Sequence, residues 1–199
     1  MIKVMWGDMS DRQQLILEAA LRVIARDGVR GLRVEKLAAE AKVSTSLIYY
    51  HFENRAGLMR RTLEFVSQRA GRYTSEALER GGDARTRIEL LLSLELQDTP
   101  AVRENSSAWG ELRASATFDP DLREPLQAAT REWVGDLIDL IAEARAAGLV
   151  SAKVEPMDSA ERLTSLVEGL SERWLSGTMS LERAQQLLAG AIDIEFDRP

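Results

Sequence analysis

RVEKLAAEAKVSTSLIYYHFENRAGL, Arg33 to Leu58, holds two short helical patterns joined by a tight turn, with a third beginning directly after. Val34, Leu37, Ala38 and Ala41 fall at i, i+3, i+4 and i+7, one apolar stripe on a helix. Lys42 and Val43 centre the turn. Ser44 stands at the N-cap of the next helix, where its hydroxyl accepts from a free amide of the following turn. That helix runs from about Ser44 to Tyr50. Val43, Ile48 and Phe52 face inward, which leaves Thr45, Ser46, Tyr49, Tyr50 and His51 facing out. No acidic residue lies between Ser44 and Phe52. Hydroxyls, an imidazole and the nearby Arg55 are donors, as a polyanion requires. Arg33 and Val34 stand at the edge of this surface. The pattern fits a helix-turn-helix, whose second helix enters the major groove of duplex DNA. A plain helical hairpin inside a larger all-α core fits the same periodicity.

The wider composition agrees with a globular, helical protein. The chain has 199 residues, 45% hydrophobic and 29% charged, with no cysteine and a single histidine, His51. Disulfides, thiolate nucleophiles, histidine metal sites and histidine-based triads are therefore excluded. No apolar run approaches the roughly 20 residues of a membrane span. MIKVMWGDM lacks the apolar core of a signal peptide, so residues 1–9 are expected to be a loose arm and the protein to be cytoplasmic. Net charge is −6. Residues 10–60 carry nine Arg/Lys against six Asp/Glu, and residues 61–199 carry −9. A basic head on an acidic body suits a protein that presents one end to DNA.

The rest of the chain reads as helices throughout. Ser10 and Gln13 form a capping box. Leu15, Ile16, Ala19, Ala20, Val23 and Ile24 follow at helical spacing, and Gly28 closes that helix. A long fourth helix runs from Leu58 through Leu63, Val66, Tyr73 and Ala77 to about Arg80, and Gly81-Gly82 break it. Asp83 caps a fifth helix with Ile88, Leu91, Leu92 and Glu95 on one face, and Pro100 ends that segment. Val102, Trp109, Leu112 and Ala116 outline a sixth. Asp119-Pro120 starts a long amphipathic run through Trp133 and Leu137 to Gly148. Asp158 and Glu161 suggest another capping box. Leu163, Leu166, Val167, Leu170 and Trp174 make a near-heptad seam, and Ser180 caps a last helix through Leu181, Ala184, Leu188 and Ala191. The expected fold is all-α, about nine helices. Residues 10–56 form a three-helix DNA-binding head, and 57–199 form a larger body for ligand binding and dimerisation.

VEKLAAEAKVSTSLIYYHFENRAGL resembles the DNA-binding segment of the TetR family of bacterial transcriptional repressors. The matching residues are Val43, Ser44, Tyr49, His51, Phe52, Arg55 and Leu58. The Ser-Thr-Ser-Leu-Ile run with Gly57-Leu58 is most similar to the branch of choline-responsive betaine regulators. The match covers about Ser10 to Leu63. Two positions depart from it. Lys42 stands at the turn where the family has Gly, so a positive φ there is unfavourable. Leu47 replaces a small residue or Thr on the groove-facing side, where it would either pack on a thymine methyl or weaken the contact. The resemblance implies a homodimer whose last two helices pair as a four-helix bundle, a double-stranded DNA operator with two half-sites, and a small-molecule effector that releases it.

In the body, Trp109, Trp133 and Trp174 lie on the apolar faces of three separate helices. With Leu112 they are expected to wall a pocket, although tryptophan at this spacing equally serves as plain core. Glu95 on an apolar face would favour a cationic ligand; an internal ion pair with Arg69 or Arg113 explains it as well. The effector is thus cationic or apolar. A helical interaction module, or an enzyme without a DNA target, remains the alternative. The enzyme reading lacks a nucleophile–base pair, a metal cluster and a cofactor motif, so no catalytic residue and no cofactor are expected.

Overall fold

The computed structural model of the protein describes residues 10–78 and 81–197, with the side chains of 73–78 excepted; the expected arm of residues 1–9 lies outside it, as do the stripe positions Tyr73 and Ala77. Among the described residues there are nine α-helices and no strand. They are α1 (Asp11–Gly31), α2 (Val34–Ala41), α3 (Thr45–Phe52), α4 (Arg55–Leu78), α5 (Ala84–Ser93), α6 (Pro100–Ala116), α7 (Arg123–Ala146), α8 (Pro156–Leu175) and α9 (Leu181–Phe196), with a single 3₁₀ turn at Pro120–Leu122. None is long and apolar enough to cross a membrane.

Local chemistry sets most of the boundaries. Ser10 and Gln13 close the expected capping box on α1. Ser44, Asp83 and Ser180 each accept from a backbone amide three residues on, which satisfies an otherwise orphan donor of α3, α5 and α9. Four expectations need correction. The fourth helix begins at Arg55, because the Asn54 side chain caps it by accepting from Gly57 N at 2.9 Å. Pro100 opens α6 rather than ending a segment, a position where its missing N–H is no loss. For α8 the cap is Glu155 with Pro156 at the first turn, and Asp158 lies inside the helix. Helix α5 stops at Ser93, so Glu95 sits in the turn beyond it and not on a helical apolar face.

Packing divides the chain into two compact units, and the division is not a single cut after residue 56. The first comprises the chain to Arg69 together with Glu104–Ala129; the second comprises Ala70–Arg103 and Thr130 onward. In the first unit α1, α2, α3, the first part of α4 and most of α6 share one apolar cluster. Ile16, Leu21, Ile24, Leu37, Ile48, Leu58, Met59, Leu63 and Leu112 in it are essentially sealed from solvent. Burying each of these side chains contributes about 1.5–3 kcal/mol.

In the second unit α5, α7, α8 and α9 surround a second cluster. Ion pairs fix the directions. Arg85 at the start of α5 reaches Asp193 and Asp197 at the end of α9, and Arg87 pairs with Glu143 near the end of α7. At the opposite end, Gln185 at the start of α9 donates to the Leu96 carbonyl beyond α5. The seam expected to face a second subunit points mostly inward. Leu163, Val167, Leu170 and Trp174 are buried within this unit. The α8–α9 pair instead exposes Met157 and Ile194, the latter 72% exposed.

Candidate nucleic-acid interface

The turn between α2 and α3 forms as the sequence requires, at a conformational cost. Lys42 adopts φ 54°, ψ 45°, and Val43 N donates to Ala38 O at 2.9 Å, so the last carbonyls of α2 are satisfied. A left-handed residue with a β-carbon carries about 1–2 kcal/mol of strain. Glu53, which ends α3, is also at positive φ (61°). Gly57 follows because a β-carbon there would overlap the Phe52 carbonyl.

Helix α3 is then held by Ile48 and Phe52 in the core and turned outward on its other side. Ser46, Tyr49 and Tyr50 are exposed, Tyr50 to 80%, while Thr45, Leu47 and His51 are half-buried. The His51 ring meets Tyr50 edge-on at 5.1 Å. Ser44 is exposed but its oxygen is engaged with Leu47 N at 3.2 Å. Arg33 is exposed at the N-cap of α2, and Val34 packs partly against the core.

The cations of this unit fall into two groups. Arg22, Arg26 and Lys36 are committed to Glu40 and Asp27. Lys36 and Arg26 hold the Asp27 carboxyl below its ordinary value, and Arg22 and Arg26 do the same for Glu40. Arg30, Arg33, Lys42 and Arg60 form no ion pair among the described residues. Cations without carboxylate partners are the ones available to phosphates.

Arg55 has a task that its sequence position did not disclose. Its Nη2 donates to the Val29 carbonyl at 3.0 Å. The same residue's amide donates to Glu111 Oε2 of α6 at 3.1 Å. Val29 is therefore gripped from both sides, just after Gly28 interrupts α1 at φ 71°, ψ 170°. A β-carbon on Gly28 would lie 2.8 Å from that Glu111 oxygen. Sequence reasoning missed Glu111, since a contact spanning 82 residues leaves no local signal.

The candidate pocket residues of the body are not gathered in one cluster. Trp109 packs against the first unit's core and Leu112 lies in it, whereas Trp133 and Trp174 belong with the second. Arg69 pairs with Glu104 at 2.7 Å, so it is not held for Glu95. The Trp174 ring carries the Arg103 guanidinium 5.0 Å from its centroid, and Arg103 is also bound to Asp98 at 2.9 Å. Among the described residues no group of His, Cys, Asp or Glu is arranged to hold a metal.

A helix braced in this way, acid-free and turned outward among available cations, is the working part of a helix-turn-helix DNA-binding protein. Residues 16–62 match the family described as bacterial regulatory proteins, tetR family, and residues 84–197 match the BetI-type transcriptional repressor C-terminal family. The chain belongs to the TetR family of transcriptional regulators. A putative TetR-family regulator from Rhodococcus sp. is 46% identical in sequence, with 95% of this chain and all of that one aligned at a TM-score of 0.89. A putative transcriptional regulator from Saccharomonospora viridis, in complex with choline, is 26% identical over 96% of this chain and all of that one, at a TM-score of 0.84. The transcriptional regulator BetI of Burkholderia thailandensis is 25% identical over 170 residues, 85% of this chain and 83% of that protein.

Proposed function

We propose that this regulator is a cytoplasmic, dimeric repressor which holds a palindromic operator and releases it when a small molecule occupies the body. The outer face of α3 carries the reading. Thr45, Ser46, Leu47, Tyr49, Tyr50 and His51 project from a helix whose first turn has no acidic residue. Arg33 and Lys42 flank it without ion-pair partners among the described residues. Two such helices on a two-fold axis would meet half-sites about 34–36 Å apart. The exposed Ile194 and Met157 support pairing through the outer face of α8 and α9. The likeness to the choline-bound regulator supports a small-molecule effector.

The test uses DNA selected from random sequence by the protein itself. Thr45→Ala with Tyr50→Ala should lower affinity for the selected site by about 1–3 kcal/mol per lost base contact and relax preference at those positions. Arg33→Ala should weaken every sequence alike and flatten the salt dependence. Unchanged site preference in a folded double variant would remove α3 as the reading helix.

A further inference from the structure

The head formed by α1, α2 and α3 continues into α4, which starts at Arg55, three residues after Phe52 ends α3. A covalent connection at one short junction leaves a head free to swivel about it. Apolar packing opposes that swivel, since Ala108, Leu112 and Ala116 of α6 share the head's cluster. Hydrophobic contact is non-directional. It holds the head close but fixes its angle only weakly. A hydrogen bond, by contrast, constrains both distance and direction.

Such bonds meet at Val29. Gly28 adopts φ 71°, ψ 170°, a conformation essentially confined to glycine. The next peptide is held from both sides. Val29 N donates to Glu111 Oε2 of α6 at 3.1 Å, and Val29 O accepts from Arg55 Nη2 of α4 at 3.0 Å. The Glu111 carboxylate also covers Gly28, whose β-carbon, were there one, would stand 2.8 Å from Oε2. Helices α1, α4 and α6 are thus joined at one residue. Helices α4 and α6 are tied to each other again by Arg69 and Glu104 at 2.7 Å. All of these groups lie in the first unit. The clamp adjoins the cations available to phosphates. Arg30 follows Val29 directly and Arg33 stands four residues on; both are exposed and neither forms an ion pair among the described residues.

We infer that Glu111 is a positioning residue that sets which half-site spacing the protein accepts. The inference rests on the two-fold, palindrome-binding reading above and names a residue that determines its specificity. Glu111 acts through Val29. The position of Val29 passes along the chain to Arg30 and Arg33, and through Arg55 to the end of α3. In a two-fold dimer a rotation of the head occurs in both copies, so it changes the separation and angle of the two α3 helices together. One base pair added between half-sites moves one of them by about 3.4 Å and turns it by about 35° around the duplex. A head held at one angle rejects that change, and a head that swivels partly follows it. The oxygen matters here rather than the charge, because a backbone N–H needs only an acceptor.

The experiment measures binding of the full-length protein to the operator it selects from random sequence, and to versions with one base pair added or removed at the centre. The parent should lose roughly tenfold or more in affinity on either altered version. Glu111→Ala should weaken the selected operator by roughly three- to tenfold. It should also compress the discrimination against the altered versions to about threefold or less. Glu111→Gln keeps an oxygen for Val29 N and should restore the parent's discrimination. A merely structural role would instead lower affinity for all three operators by one common factor. Circular dichroism at the assay temperature checks folding. If Glu111→Ala is unfolded, Glu111→Asp, which withdraws the oxygen by a methylene, takes its place. A folded Ala or Asp variant that rejects altered spacing as strongly as the parent overturns the inference. So does a Gln variant that discriminates no better than they do. A parent indifferent to spacing overturns the two-fold reading and the inference with it, which separates that failure from the failure of Glu111 alone.

Discussion

The two units differ in what they bury. In the first, the buried polar side chains among the described residues are Thr62, which bonds its own helix, and Asn105. Its charges sit outside, in the Arg22–Arg26–Lys36 network with Asp27 and Glu40. The second unit buries Ser159, Thr164, Ser171 and the carboxylate of Glu195. Glu195 accepts from Ser159 Oγ and Arg162 Nη2, each at 2.5 Å, which ties α8 to α9. An apolar core holds one arrangement with little directional demand, as a rigid mount for α3 requires. A core threaded with polar groups is directional, and its interactions can be remade when something binds.

The sharpest way to break the second unit is Leu170→Glu. Leu170 is 4% exposed, so an unpaired carboxylate there should cost about 4 kcal/mol or more and unfold the unit. Ile194→Glu, on the outer face, should instead leave circular dichroism unchanged and yield monomers in sedimentation. A folded Leu170→Glu monomer would show that α8 is oriented the other way.

Arg162→Ala comes next. It leaves the Glu195 carboxylate with Ser159, for an expected loss of about 1–3 kcal/mol, below the full value for a buried pair because Arg162 is itself half-exposed. Chemical denaturation reads this directly, and a loss under about 0.5 kcal/mol would make Glu195 a solvated group. In the first unit, Glu111→Ala deprives Val29 N of its acceptor. A drop of about 1–2 kcal/mol, with faster exchange at the Val29 amide, is expected.

Lys42→Gly should act in the opposite direction. Glycine relieves the left-handed strain at φ 54° and should raise stability by about 0.5–1 kcal/mol. If the same variant also loses DNA affinity uniformly across sequences, Lys42 contacts phosphate. The smallest effect is the response to acid. Asp27 and Glu40 have depressed carboxyl pKa values through their cations. Their contribution is present above about pH 4–5 and is lost as pH falls through the lowered values. Asp136 is the reverse case, raised by burial and by Glu132 and Asp139. Its penalty is relieved in acid, so Asp136→Asn should raise the midpoint at neutral pH.

The sequence by itself determined the helices and the outward face of α3. Ser10, Ser44, Asp83 and Ser180 each cap through an amide three residues away. The positive φ at Lys42 and the outward face of α3 follow from spacings of seven residues or fewer. Such interactions close within two turns of chain, so their partners are visible in the sequence. Tertiary structure decided the rest. It set the grip of Glu111 and Arg55 on Val29 and the separation of Trp109 from Trp133. It also turned Leu170 inward and joined Ser159 to Glu195. These depend on which helices meet, through contacts up to 82 residues apart. Periodicity says that a helix has an apolar face, but not whether that face meets its own subunit, a second copy or a ligand.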